Sequence, residues 1–306
     1  MPITDKQKEL RKNHIGASET AAILGLSPWK TAYDVWLEKT GKLESQFEPG
    51  EAADIGNMVE NSLLDWGAQD LGGVKIVKNQ FRVHENGILS ATHDGLVIDA
   101  PEGLEAKTAG IMNPFAAQDA WGEPGTDQIP DHYVIQCQHQ CVVSGLVTVH
   151  VPALIGGRGR VMFHVARNQD ICAVILERVT AFWIKNVQAD IPPEGVPSLD
   201  IVRLRRREPG KVISLPAPLV ARWRELEFAR KQAQDLEDEA KARVIAEMAD
   251  AEIGASDAGN VKITHVKTAR LDTGALKAAH PDIAAKFTKE SESVRITYQK
   301  QRLLKG

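Results

Sequence analysis

Asp94 stands in His93-Asp94-Gly95, and one hairpin later the chain reads Leu104-Glu105-Ala106-Lys107. Side chains alternate along an extended segment, so Glu105 and Lys107 share one face while Leu104 and Ala106 take the other. If the strand that Asp94 ends lies antiparallel beside that segment, two carboxylates and an ammonium come together. A hard divalent cation suits such a group. Mg²⁺ takes oxygen ligands octahedrally and keeps several waters, so two carboxylates and the Ala106 carbonyl make a partial shell. Glu60, in Gly56-Asn57-Met58-Val59-Glu60, is the candidate for a third carboxylate holding the ion from the side. Such a group would suit phosphodiester cleavage, in which a bound ion lowers the pKa of water and acts as a Lewis acid. Lys107 would position the attacking water or help deprotonate it. Taken alone, an Asp…Glu-x-Lys spacing is more often a row of charges on an exposed sheet face, so its surroundings decide.

Those surroundings begin with helices. Residues 18–24 read as a short helix with Ser18 as N-cap and Gly25 as its stop, and residues 31–40 as a second ended by Gly41. Residues 51–71 carry Ile55, Val59, Leu63 and Trp66 at helical spacing before Gly72-Gly73 breaks the pattern. The period then changes to two. Val74, Ile76, Phe81 and Val83 alternate with polar residues, and residues 88–91, 96–98 and 104–107 follow as strands. Tight turns are expected at Glu85-Asn86-Gly87 and Pro101-Glu102-Gly103. Residues 131–144 are helical up to Gly145, residues 146–155 and 161–166 are strands around Gly156-Gly157-Arg158-Gly159, and Asn168 caps a helix running to about Asn186. The proline- and arginine-rich residues 190–218 mark a boundary, giving a core over 1–212 and an extension over 213–306. The extension reads as a helix at 219–248, a strand at 261–266, a helix at 272–287 and a strand at 293–299. Trp223, Leu226, Ala233, Leu236, Ala240, Val244 and Met248 form a stripe on the long helix that needs a partner surface.

Composition narrows the function classes. With 306 residues, 43% of them hydrophobic and 25% charged, the chain can close a substantial core and is neither a disordered tail nor a supercharged binder. A net charge of -4 means that any hold on nucleic acid comes from a local basic groove or from a cation between phosphate and carboxylate. Three cysteines, Cys137, Cys141 and Cys172, are too few for a disulfide framework or a four-thiolate iron-sulfur cluster. A reducing, cytoplasmic setting is expected. No apolar run approaches the roughly 20 residues that cross a bilayer, and the polar first twelve residues are unlike a signal peptide.

The order of several motifs then carries a resemblance. Ile15-Gly16-Ala17-Ser18-Glu19, Leu26-Ser27-Pro28-Trp29-Lys30-Thr31, residues 56–60, Ser90-Ala91-Thr92-His93-Asp94-Gly95, residues 104–107 and Tyr133-Val134-Ile135-Gln136-Cys137-Gln138-His139 together resemble the YqaJ-like viral recombinase family. These are phage nucleases related to lambda exonuclease, within the PD-(D/E)xK superfamily. The resemblance covers residues 11–193, with a weaker likeness over 272–298. It implies an α/β fold of the α+β type, a central mixed sheet flanked by helices, followed by the helical and αβ extension. It implies a deoxyribonuclease dependent on Mg²⁺, with Mn²⁺ as substitute, that works from duplex DNA ends. The expected direction is 5′ to 3′, leaving 3′ single strands for an annealing protein in recombination. Carried over residue by residue, it makes Glu60, Asp94 and Glu105 metal ligands with the Ala106 carbonyl, and Lys107 the catalytic lysine. Tyr133 and Gln136 would line the scissile phosphate. Arg11 and Ser18 would hold a 5′ phosphate, and His139 would touch DNA or order Gln136. A homo-oligomer is implied, a ring-shaped trimer in the lambda-type members. Two departures stand out: His93 replaces the superfamily's proline, and Ala106 stands where a larger aliphatic residue is usual. The rival readings are a related endonuclease or single-strand nuclease, and a non-catalytic DNA-end-binding scaffold.

Other residues carry two readings each. Cys137 and Cys141, one helical turn apart, suit a metal pair or, better, two small buried side chains. Arg203, Arg205, Arg206 and Arg207 would track a phosphate backbone or form a solvated linker. Trp29 and Trp36 would stack on a base or, preferably, pack between the opening helices.

Overall fold

The computed structural model describes residues 10, 12–43, 50–111, 120–199, 208, 210–267 and 272–288. The chain falls into two compact units, 1–207 and 208–306. The first unit holds β1 (Ile15–Gly16), α1 (Ala17–Ile23), α2 (Ala32–Lys39), α3 (Glu51–Asp70), β2 (Ile76–Val83), β3 (Leu89–Val97), β4 (Glu102–Leu104) and β5 (Lys107–Ala109). It continues with α4 (Asp131–Ser144), β6 (Thr148–Ile155), β7 (Gly159–Ala166) and α5 (Gln169–Phe182), which runs on as a π-helical turn over Trp183–Gln188.

Local chemistry sets most of these ends. Thr31 and Asp34 cap α2 reciprocally, the Thr31 hydroxyl accepting from the Asp34 N–H at 3.3 Å and the Asp34 carboxylate from the Thr31 N–H at 2.9 Å. The Asn168 side chain accepts from the Asp170 and Ile171 N–H groups at the start of α5. Gly145 closes α4 at φ 68°, a left-handed conformation that favours glycine. Helix α1 differs from expectation. Its N-cap is Gly16, and Ser18 lies exposed in the first turn. The reason is Glu19, whose carboxylate accepts the Gly16 N–H at 2.7 Å and so fixes the helix start where β1 ends.

The sheet is mixed. β2 runs antiparallel along β3 from Ile76↔Val97 to Val83↔Ser90, while the other edge of β3 takes β1 in parallel and then β4 antiparallel. Residues 88–91 and 96–98 therefore do not form two strands: Leu89–Val97 is one, with Asp94 inside it. Polar Thr92, His93 and Asp94 interrupt the apolar pattern, yet β2 pairs with Thr92 and His93 on one edge, and on the other β1 and β4 hold the strand on either side of them. The turn expected at Pro101-Glu102-Gly103 lies one step earlier, with Asp99 at φ 66°, and Glu102 and Gly103 already belong to β4.

β4 and β5 pair with β6 in one register, Leu104↔His150 and Lys107↔Ala153, so they are a single strand interrupted at Glu105-Ala106. Continuing that register sets Ala106 against Pro152. The Glu105 N–H still reaches the His150 carbonyl at 2.9 Å, so the N–H and C=O of Ala106 turn to the other edge, toward β3. Helix α3 lies close over this spot, because a Cβ at Gly67 would sit 3.0 Å from the Pro152 ring. Only the second half of α3 is buried, at Leu63, Leu64, Gly67 and Ala68; Ile55 and Val59 are half-buried. Leu104 joins Leu64 and Val97 in a small cluster with Ala106 against it. On the opposite face Cys137 and Cys141 of α4 pack on Val149, Val151 and Phe163. A further cluster joins Ile15, Val35, Trp36, Leu89, Ile175 and Val179 beneath α1, α2 and α5.

The second unit comprises α6 (Ala217–Met248), a hairpin of β8 (Ile253–Ser256) and β9 (Gly259–Lys262), α7 (Thr273–Ala279) and α8 (Pro281–Phe287). Of the strand expected at 261–266 only Val261 and Lys262 are extended in β9; residues 263–266 are not strand, and β9 pairs with β8, which the sequence pattern did not announce. The helix read over 272–287 is two, since Pro281 ends the run of backbone hydrogen bonds at His280. Met248 is the buried residue of α6, packed near Gly254, while Trp223, Leu226, Leu236 and Val244 of its stripe are exposed. Residues 293–299 and Arg203 to Arg207 lie outside the described residues. Among the described residues no helix is long and apolar enough to cross a membrane.

Candidate active site

The break between β4 and β5 is where the chemistry gathers. Glu105 is 3% exposed, yet it holds a full set of partners. Lys107 Nζ lies 2.6 Å from its Oε1, the Gln136 amide donates to the same oxygen, and the Gln140 amide donates to Oε2 at 2.6 Å. Alternation thus does what the spacing promised: Glu105 and Lys107 turn together toward α4, and Leu104 and Ala106 turn toward α3. Asp94 enters from β3. Its Oδ2 accepts the Ala106 N–H at 2.9 Å, using the backbone that the ladder leaves free. In a strand the N–H and C=O of one residue point to the same edge, so the Ala106 carbonyl also belongs to the Asp94 side.

The electrostatics follow from crowding acids in a buried place. The Asp94 carboxyl is held well above the usual carboxylate range, by burial first and then by Glu105; Glu60 pushes the same way, while Lys107 and the Ala106 N–H oppose them. Burial works against the charge on Lys107, but Glu105 and Asp94, with Tyr133 behind them, outweigh it and raise its pKa. The Tyr133 ring lies 4.9 Å from the Lys107 ammonium and is backed by Trp121 at 5.7 Å. Asp94, Glu105, Lys107, Tyr133 and Gln136 are therefore brought together, with Glu60 close enough to act on Asp94. Among the described residues no three acidic, histidine or cysteine side chains close into a ready metal-binding group. The donor set still fits a hard cation. It is all oxygen, the buried Glu105 and half-buried Asp94 carboxylates and a backbone carbonyl with a third carboxylate in reach, and water would supply the remaining ligands.

Other expected site residues fall elsewhere. His139 is fully buried, its Nδ1 2.7 Å from the Thr20 hydroxyl and its Nε2 3.0 Å from the Ser90 carbonyl. Burial pushes its pKa down to about 4. It is a strut between α4, α1 and β3, not a contact for DNA. His93 is likewise a core residue, bonded to the Ser144 hydroxyl at 2.7 Å and held down to about 4 by burial. Ser18 is exposed on α1, and Arg11 lies outside the described residues. Cys137, Cys141 and Cys172 are all buried free thiols; burial raises the first two, Cys141 to about 12, which suits packing and not metal binding. Gln140 is the residue the sequence reading missed. Its signal was present, because positions 133, 136 and 140 recur on one helix face.

Comparison with known proteins places this arrangement. Residues 7–147 match the YqaJ-like viral recombinase domain. The uncharacterized protein YqaJ of Bacillus subtilis (strain 168) is 28% identical over 292 residues, 92% of this chain and 89% of that one. Among solved structures, LHK-Exo in complex with dAMP aligns with a TM-score of 0.50 at 18% identity, covering 61% of this chain and 94% of that one. A second structure of this alkaline exonuclease, from Laribacter hongkongensis, gives a TM-score of 0.49 at 19% identity over the same shares. The likeness to the solved structures is one of fold, the PD-(D/E)xK core with its central mixed sheet flanked by helices. The segment that matches the YqaJ-like viral recombinase domain, residues 7 to 147, contains Asp94, Glu105 and Lys107.

Proposed function

We propose that this protein is a metal-dependent deoxyribonuclease that hydrolyses phosphodiester bonds from the ends of duplex DNA. One observation carries the reading: a buried glutamate and an aspartate converge with a lysine at a break in a central strand, inside the segment that matches the YqaJ-like domain. Asp94, Glu105 and the Ala106 carbonyl, with Glu60 beside them, would hold Mg²⁺ or Mn²⁺. Bound there, the ion supplies an acidified water and charge neutralisation at phosphorus. The chain's own groups do the rest. Lys107 presents an ammonium to the phosphate and to the attacking water. Gln136 fixes one oxygen of Glu105 and turns its face toward the same space. Tyr133 walls the site and limits how far Lys107 can swing. The fold of an alkaline exonuclease supports end-dependent cleavage, with a 5′ to 3′ direction, a 3′ single-stranded product passed to an annealing protein, and a trimeric assembly as the finer proposals.

The test is digestion of linear duplex DNA, with and without Mg²⁺, by wild type and Lys107→Ala. Cleavage of linear DNA is expected only with wild type and metal, and covalently closed circles should survive. Cut circles would favour an endonuclease, and equal activity of the two proteins would remove the mechanism.

A further inference from the structure

Trp29, in the turn between α1 and α2, and Trp36, on α2, have opposite fates. Trp36 is 3% exposed and packs in the core, whereas Trp29 is 65% exposed. Leaving a large apolar ring in water forgoes burial that a soluble chain ordinarily takes. The turn that carries it is nevertheless clamped. The Ser27 hydroxyl accepts from both the Trp29 and Lys30 N–H groups, at 3.3 and 3.2 Å, and Pro28 fixes its own φ. Lys30 in turn reaches both oxygens of Glu38 on α2 at 2.7 and 2.9 Å.

The indole also has a fixed direction. It meets the His132 ring edge-on, with centroids 4.7 Å apart at 83°, and lies 6.5 Å from the Tyr133 ring. His132 and Tyr133 are 4.0 Å apart, and Tyr133 faces the Lys107 ammonium. A row of rings therefore leads from the surface to the candidate catalytic lysine, and its outer end is an open indole.

We infer that Trp29 is a stacking platform for an unpaired nucleobase of the DNA strand entering or leaving the site. Any base has a π-face, so stacking tolerates sequence, as an enzyme that consumes DNA of any composition requires. This rests on the proposed nuclease reading and adds the residue that holds the strand beside it. The Tyr133 ring stands between Trp29 and the Lys107 ammonium, so loss of the indole should weaken the grip on DNA and spare the chemical step.

The experiment compares wild type, Trp29→Phe and Trp29→Ala, each checked for an unchanged melting temperature. Short single-stranded oligonucleotides are titrated in EDTA by fluorescence anisotropy, and cleavage of end-labelled duplex is followed with Mg²⁺. Trp29→Ala should bind roughly 5- to 100-fold more weakly and raise KM with kcat nearly unchanged, while Trp29→Phe keeps most of the affinity. A single abasic residue moved through the terminal nucleotides should weaken wild-type binding at one position and leave Trp29→Ala indifferent there. Equal oligonucleotide affinity in wild type and Trp29→Ala overturns the inference, and would leave Trp29 as an anchor for a protein partner. If the wild type binds through Trp29 but cleaves nothing, the nuclease reading fails and the stacking site stands.

Discussion

Two polar networks lie on the same helix and behave oppositely. Gln138 and His139 of α4 are buried, neutral and satisfied: Gln138 donates to the Ala166 carbonyl and accepts from the Asn168 N–H, while His139 bridges Thr20 and Ser90. Gln136 and Gln140 flank them in sequence and serve a buried carboxylate that also carries an ammonium and crowds a second acid. The first network links four elements at little electrostatic cost. The second costs the fold, because charges leave water and like charges sit close. Paired neutral groups in a core are architecture; crowded titratable groups in a half-open place are where chemistry is to be sought.

The sharpest break between the networks is catalytic. Lys107→Ala should lower cleavage per folded molecule by roughly 10³-fold, the order seen when a group stabilising developing charge is lost, over and above the stability lost when buried Glu105 gives up its counter-ion. His139→Ala should cost stability alone. It leaves a cavity and strips partners from Thr20 and Ser90, so denaturant unfolding should show about 3 kcal/mol less stability, while cleavage per folded molecule survives. A cleavage loss without destabilisation would make His139 a site residue after all.

The buried imidazoles should also respond to pH. His93 and His139 have folded pKa values of about 4, below the 6.5 of a free imidazole. As pH falls the unfolded chain takes up these protons first, so the stability they contribute is full above 6.5 and lost between 6.5 and 4. By pH 5 the loss is about 2 kcal/mol per imidazole, readable as a falling urea midpoint. A midpoint that is flat from pH 7 to 5 would contradict it. Gln140→Leu should give the smallest effect of this set. Removing one of the donors that orient Glu105 is expected to lower affinity for Mg²⁺, measured by calorimetry, by roughly tenfold. Gln140→Asn and Gln140→Leu weakening it alike would deny Gln140 a positioning role.

Much of this was legible without coordinates, for reasons that differ by element. Helix ends were readable where a cap is a short-range matter, as at Asn168 and Gly145. The Glu105 and Lys107 pairing was readable because strand alternation is a property of the backbone. Asp94 was misjudged as a strand end, since the continuity of β3 depends on β1, β2 and β4 holding both its edges. Ser18 was misread as a cap because two candidate starts lay within a turn, and Glu19 decided between them.

The sequence by itself determined the repertoire of this protein: its helices and strands, the Asp94 and Glu105-Ala106-Lys107 groups, and the helix face carrying Tyr133 and Gln136. Local rules suffice there, because capping, alternation and helical spacing act over a few residues. Only the tertiary structure decided which polar side chains are struts and which are tools. His139 and Gln136 differ by three positions and by little in chemistry, and Trp29 and Trp36 are the same residue type. What separates them is whether a distant segment arrives to satisfy or cover them, and burial of that kind is a property of the packed whole.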